Sequence, residues 1–120
     1  MCTVTSIDLL DADTGEAFLD IVNETGTAIN VFNDSGKVVE GQKLNNLFYM
    51  LDYSGYVLTE KEESISLNKN GGYDIVGKVD LNKSTITARG YIFDIEGDFI
   101  DKDIPNFSNV EFYVPRIDYF

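Results

Sequence analysis

Histidine and tryptophan are absent from this chain, cysteine occurs once, at Cys2, and proline only at Pro105 and Pro115. Each gap removes a class of chemistry. Without His the chain lacks the side chain most often used as acid, base or zinc ligand near neutral pH. One thiol makes no internal disulfide, and it leaves neither thiolate metal sites nor Cys–His catalysis. No Gly-rich phosphate loop of Walker or dinucleotide type occurs. No apolar run reaches the roughly 18 residues of a membrane-crossing helix, and no basic and then apolar leader follows Met1. The expectation is a cytoplasmic protein in a reducing compartment.

Positive charge is the other scarcity. Nine Lys and Arg stand against 21 Asp and Glu, a formal charge of −12. The excess comes from the two ends. Residues 1–36 carry seven carboxylates (Asp8, Asp11, Asp13, Glu16, Asp20, Glu24 and Asp34) and no cation. Residues 37–90 carry seven charges of each sign, and residues 91–120 carry seven carboxylates against Lys102 and Arg116. Two readings fit: a solubility charge spread over exposed strand faces, or, since termini of compact domains often lie close together, two ends that build one negative face. Such a surface repels phosphate backbones and anionic membranes, so neither nucleic acid nor membrane is an expected partner.

What is present is enough for a core. The chain is 43% apolar, with eight Phe and seven Tyr, and its 120 residues make one domain, 1–120. A domain of this size buries roughly two-thirds of the surface of its unfolded chain. Short apolar runs alternate with turn residues, which predicts strands over 3–10, 16–23, 27–33, 37–40, 56–60, 64–68, 73–80, 84–95 and 110–114. Asn33-Asp34-Ser35-Gly36 reads as a hairpin turn between the third and fourth runs. Gly77 and Gly90 interrupt two long facing strands and read as a bulge or a sharp bend. Segment 96–108 reads as a surface loop.

Residues 42–53 (QKLNNLFYMLDY) break the pattern. Leu44, Leu47, Phe48 and Leu51 fall at i, i+3, i+4 and i+7, the period of a helix with one buried face, and Ser54-Gly55 supplies a stop. The expected fold is therefore mainly β, of α+β type. A curved antiparallel sheet forms a partly closed barrel or a sandwich, with one inserted amphipathic helix around 42–53.

Four groups of residues invite a functional reading. Asp13-Thr14-Gly15 matches the three-residue signature of aspartic proteases. That family places two apolar residues before the Asp and a small one after the Gly, whereas Asp11-Ala12 and Glu16 stand here. Its later apolar-Gly-Arg pattern is reversed in Arg89-Gly90, so a hairpin turn is the simpler account. Asp94, Glu96, Asp98, Asp101 and Asp103 cluster as calcium ligands do, but an EF-hand register started at Asp94 puts Phe99 where Gly belongs and Pro105 where Glu belongs. Paired carboxylates for glycoside hydrolysis are available, as in any chain with 21 acids, but no Trp is present to stack a sugar. No catalytic residue, metal or cofactor is therefore expected.

The fourth reading is binding. Segment 94–103 mixes its acids with the apolar residues Ile95, Phe99 and Ile100, with Ile104 close behind. Acids attract a basic protein and apolar anchors dock it. Tyr119 and Phe120 add aromatic anchors at the C-terminus. The predicted partner-binding residues are Asp94, Glu96, Asp98, Phe99, Asp101, Asp103, Tyr119 and Phe120. The expected partner is basic: a toxin, a nuclease or a nucleic-acid-binding enzyme. Small size, acidity and lack of catalytic groups are general features of immunity-type inhibitors, which neutralise a toxin or nuclease one to one. Two alternatives are a viral anti-defence protein that mimics the charge of nucleic acid and a structural or assembly subunit.

Overall fold

A computed structural model describes all residues 1–120. The chain is all β, and no helix long and apolar enough to cross a membrane is present. Its strands are β1 (Cys2–Leu9), β2 (Ala17–Asn23), β3 (Ala28–Asn33), β4 (Lys43–Leu44), β5 (Leu47–Leu51) and β6 (Val57–Leu58), then β7 (Ser64–Leu67), β8 (Tyr73–Asp80), β9 (Thr85–Ala88), β10 (Tyr91–Asp94), β11 (Asn109–Val114) and β12 (Arg116–Asp118). They form one hydrogen-bonded path, β4-β1-β2-β3-β12-β5-β10-β9-β8-β11-β6, with β7 also on β8. Pairing is antiparallel except between β3 and β12 and between β5 and β10. The end strands β4 and β6 do not meet, so the sheet is open and the expected barrel closure is absent.

Alternation of burial builds the core. Leu19 and Ile21 of β2, Ile29 and Val31 of β3, and Val110, Phe112 and Val114 of β11 all point inward, and their neighbours stay wetter. One cluster of 22 buried residues joins both halves of the sheet. Only Asn45 and Asn46 separate β4, at one end of the path, from β5 in its middle. That short link turns the sheet over its own core. Cys2 lies inside, 1% exposed, with its thiol donating to the Leu44 carbonyl at 3.6 Å. Burial pushes that thiol up, which keeps it protonated and poorly nucleophilic.

The predicted helix over 42–53 is replaced by β4 and β5. Leu44 and Phe48 are 2% and 0% exposed, whereas Leu47 and Leu51 remain 37% and 40% exposed. A spacing of four fits the helical period and the strand period alike, and here the strand wins. Residue 48 lies in a central strand, with β12 on one edge and β10 on the other. Pairing on both edges satisfies the main chain without a helix, so tertiary context overrides local pattern.

Two other expectations are corrected. Residues 37–40 do not pair back on β3, because the chain crosses to β4 at the edge of β1. The long strand expected over 84–95 is a hairpin of β9 and β10, turning at Arg89 (φ +49) and Gly90 (φ +84). Positive φ at both central residues matches the type I′ turn, whose twist suits flanking strands. Asn23 Nδ2 locks that turn by donating to the Arg89 carbonyl at 2.7 Å.

β12 pairs with β3 only at Phe32, which leaves the rest of that edge uncovered. Tyr73, from the other half of the sheet, caps that edge, and Tyr91 bonds the turn that leads into β3. Tyr73 Oη accepts the Asn30 N–H at 2.7 Å, and Tyr91 Oη donates to the Thr27 carbonyl at 2.6 Å. Burial pushes both phenols up, so they stay neutral hydrogen-bonding groups.

Candidate functional site

The acidic segment after β10 is a braced lobe. Asp94 Oδ1 accepts the Glu96 N–H at 2.8 Å, and the Asp98 N–H donates to the Ile95 carbonyl at 3.0 Å. Further on, Asp101 Oδ1 accepts the Asp103 N–H at 2.9 Å, while its carbonyl accepts the Ile104 N–H at 3.0 Å. Local side-chain bonds of this kind fold a loop without strand pairing. Ile95 and Ile104 are 3% and 6% exposed and root the lobe in the core, with Ile100 packed against it.

Asp98 is the brace between lobe and sheet. Its Oδ2 accepts the Tyr56 hydroxyl at 2.6 Å. Tyr56 stacks on Tyr53 (ring centroids 5.2 Å apart, planes 11° off parallel) and meets the edge of Phe112 at 5.0 Å. The Asp98 carboxylate beside it pushes Tyr53 up to about 12, with burial adding to it. Burial, then the same carboxylate, pushes Tyr56 higher still.

Those phenols predict an alkaline response. Both are raised above the ordinary tyrosine value of about 10, so the fold favours their neutral forms. Both contributions are complete below about pH 10, where the unfolded chain also keeps its protons; that of Tyr53 is lost as pH rises through about 12, and that of Tyr56 goes on falling above it. The melting temperature is expected to fall over that interval. The fall should be shallower in the Tyr53→Phe/Tyr56→Phe variant, and superimposable slopes would show that the Asp98 brace does not titrate with the fold.

The predicted site residues therefore divide. Glu96, Phe99, Asp101 and Asp103 face solvent, and Phe99 is 84% exposed. Asp94 and Asp98 are half-buried and engaged in holding the lobe. Of the lobe's own apolar residues expected as docking anchors, only Phe99 points fully outward. Ile95 and Ile104 face the core, because a loop without strand pairing needs its own apolar roots.

Tyr119 and Phe120 belong to a different surface. The Tyr119 ring packs on Phe48 at 5.7 Å, its N–H donates to the Phe32 carbonyl, and its own carbonyl accepts from Asn33 Nδ2 at 2.8 Å. Phe120 is 69% exposed and leans on Tyr49 at 5.2 Å. β12 runs antiparallel to β5, whereas the lobe follows the onward course of β5 towards Tyr53 and Tyr56. Tail and lobe thus lie towards opposite ends of β5.

The tail instead adjoins the acidic N-terminal turns. Asn33 is 2% exposed and also accepts from the Ser35 N–H and hydroxyl, and Gly36 packs directly against Gly15. Asp11, Asp13 and Asp34 are exposed in those turns. The Asp13-Thr14-Gly15 motif is the turn between β1 and β2, with Asp11 Oδ1 accepting the Asp13 and Thr14 N–H groups.

Only three of the 21 acidic side chains lie within ion-pair distance of a cation: Glu24, Glu111 and Asp118. None of the lobe's carboxylates does. An open groove of about 580 Å³ crosses β7, β8 and β11, lined among others by Ser64, Ser66, Asp74 and Glu111, and Lys61 reaches Glu111 at its side. It contains none of the predicted site residues. Phe107, 57% exposed, is a lobe residue that sequence reasoning passed over; a large aromatic in a Pro-Asn turn is the cue that could have found it.

Comparison with protein families, with curated proteins and with solved structures found no match.

Proposed function

We propose that this chain is a non-catalytic protein-binding domain that docks a basic protein through the 94–108 lobe. In its sharpest form it is a stoichiometric, immunity-type inhibitor that covers the positive cleft of a toxin or nuclease. The observation that carries the reading is Phe99, 84% exposed, amid carboxylates that no cation pairs, on a loop rooted by Ile95, Ile104 and the Asp98–Tyr56 bond. An aromatic held in water on a braced loop loses little conformational freedom on binding. Unpaired acids around it raise the encounter rate with a basic surface, by roughly 10–10³-fold for strong steering. Charge then sets association and the aromatic sets dissociation.

The test begins with the protein that co-purifies from the native host and proceeds by stopped-flow kinetics. Glu96→Lys with Asp103→Lys should slow association about tenfold at low salt and flatten its salt dependence. Glu60→Lys with Glu62→Lys, in the neutral middle of the chain, should change it little. Phe99→Ala should leave association intact and speed dissociation roughly tenfold or more. Asp98 is left alone because its loss would release the lobe. Equal slowing by the two charge-reversal pairs would mean that net charge alone governs binding and would refute the lobe.

A second reading has one observation behind it. β6 is an end strand whose Val57 and Leu58 are 58% and 50% exposed, and an edge of this kind suits assembly by strand addition. Concentration-dependent self-association abolished by Val57→Lys, with Glu96→Lys silent, would favour it.

A further inference from the structure

We propose that Phe107 is a second aromatic anchor of the lobe, presented to an apolar pocket in the rim of a basic protein partner; this rests on the docking reading above. Pro105-Asn106-Phe107-Ser108 is a tight turn, closed where the Ser108 N–H donates to the Pro105 carbonyl at 3.3 Å and the Ser108 hydroxyl donates to it at 2.6 Å. Phe107 is the third residue of that turn, with φ +62. A turn with positive φ at its third position is normally built with Gly or Asn there. A bulky aromatic in the left-handed region is an outlier, and outliers that persist gather where function holds them.

The hydrogen bonds that hold the turn do not use the ring. The Phe107 N–H donates to the Val79 carbonyl at 2.9 Å, and the Val79 N–H donates to the Ser108 carbonyl at 3.0 Å. Asn106 Oδ1 lies 3.1 Å from the Phe107 nitrogen. These bonds use only the main chain of residues 107 and 108 on this side and are available with glycine at 107 as well. The side chain remains 57% exposed. Asn106 also accepts the Leu81 N–H at 2.7 Å, and Leu81 is 40% exposed, so apolar surface continues onto the turn between β8 and β9.

Charge selects the occupant. Asp80, Asp101 and Asp103 flank this patch in the chain without an ion-pair partner, against Lys83 and Lys102. The chain's charge of −12 favours a basic rim around an apolar pocket, which is attracted and then desolvated.

Two synthetic peptides of equal length and charge serve as probes, one alternating Lys with Leu and the other Lys with Ser. Phe107→Gly is expected to raise the urea midpoint, because glycine adopts this φ without strain. It should weaken the Lys/Leu peptide at least fivefold in calorimetric titration and change the Lys/Ser peptide by less than twofold. Phe107→Asn, which also tolerates the conformation, should weaken the Lys/Leu peptide alike. A lowered urea midpoint for Phe107→Gly would show the ring to be structural and overturn the proposal, as would Lys/Leu affinity within twofold of the parent. If Glu96→Lys with Asp103→Lys weakens both peptides while Phe107→Gly changes neither, the docking reading stands and the anchor falls. If the charge reversals change neither peptide, the docking reading itself fails.

Discussion

Replacing Phe48 with alanine is expected to destabilise the protein by about 3–5 kcal/mol, a large share of what a domain of this size has. The side chain is 0% exposed and meets the edge of Tyr91 at 5.6 Å and the tilted ring of Tyr119 at 5.7 Å, so truncation opens a cavity between strands that cannot collapse. Leu44→Ala, 2% exposed at the start of the same run, should cost about 2–5 kcal/mol. Leu47→Ala and Leu51→Ala should each cost only about 1 kcal/mol, because much of each side chain is already in water. Urea denaturation of the four variants reads the difference directly. Comparable losses at all four positions would restore the helical face that the periodicity suggests and remove β5 from the centre of the sheet.

Gly72→Ala is expected to be nearly as severe, while Gly71→Ala beside it is mild. Both glycines have positive φ, +89 at Gly71 and +73 at Gly72. A methyl group at Gly71 meets open space, so its cost is the left-handed strain alone, about 1–2 kcal/mol. At Gly72 the same methyl would stand 2.4 Å from the Val114 carbonyl oxygen and 2.7 Å from Pro115 Cα. Those are main-chain atoms at the corner between β11 and β12, and they do not swing aside as a side-chain tip does. Overlap added to strain makes roughly 3 kcal/mol or more. The change would also displace Tyr73, whose hydroxyl caps the open edge of β3. Equal melting temperatures for the two variants would show that the corner yields.

Much of the strand pattern was legible along the chain. The run over 73–80 is β8, and those over 3–10 and 16–23 fall on β1 and β2 to within a residue at most ends. Alternation reads well where one face of a strand is wet, as in β2 and β3. It reads poorly at β5, because Leu44 and Phe48 satisfy two periods at once and the deciding pairings, to residues 92–93 and 116–118, come from far along the chain. Arg89-Gly90 was hidden for a related reason. Arginine is not the usual first residue of a type I′ turn, and it is held there by Asn23 and by the Glu63 carboxylate.

The candidate site divides in the same way. Composition singled out segment 94–103 through its density of acids. Which of those acids face outward depends on Tyr56, 42 residues away in sequence, whose hydroxyl engages Asp98. The tail aromatics looked like companions of the lobe because they are near it in sequence, yet β12 inserts between β3 and β5 and carries them towards the N-terminal turns.

By itself the sequence determined the mainly β class, the acidity and its bias to the two ends, and several of the turns, since these depend on residue type and on spacing over a few neighbours. Tertiary structure alone decided that residues 47–51 form a central strand, that the sheet stays open, that the acidic segment is a rooted lobe with Phe99 and Phe107 outside, and that Gly72 admits no side chain. Each of these is fixed by contacts between residues distant in the chain, and hydrophobic periodicity, which records only whether a side chain is buried, does not say against what.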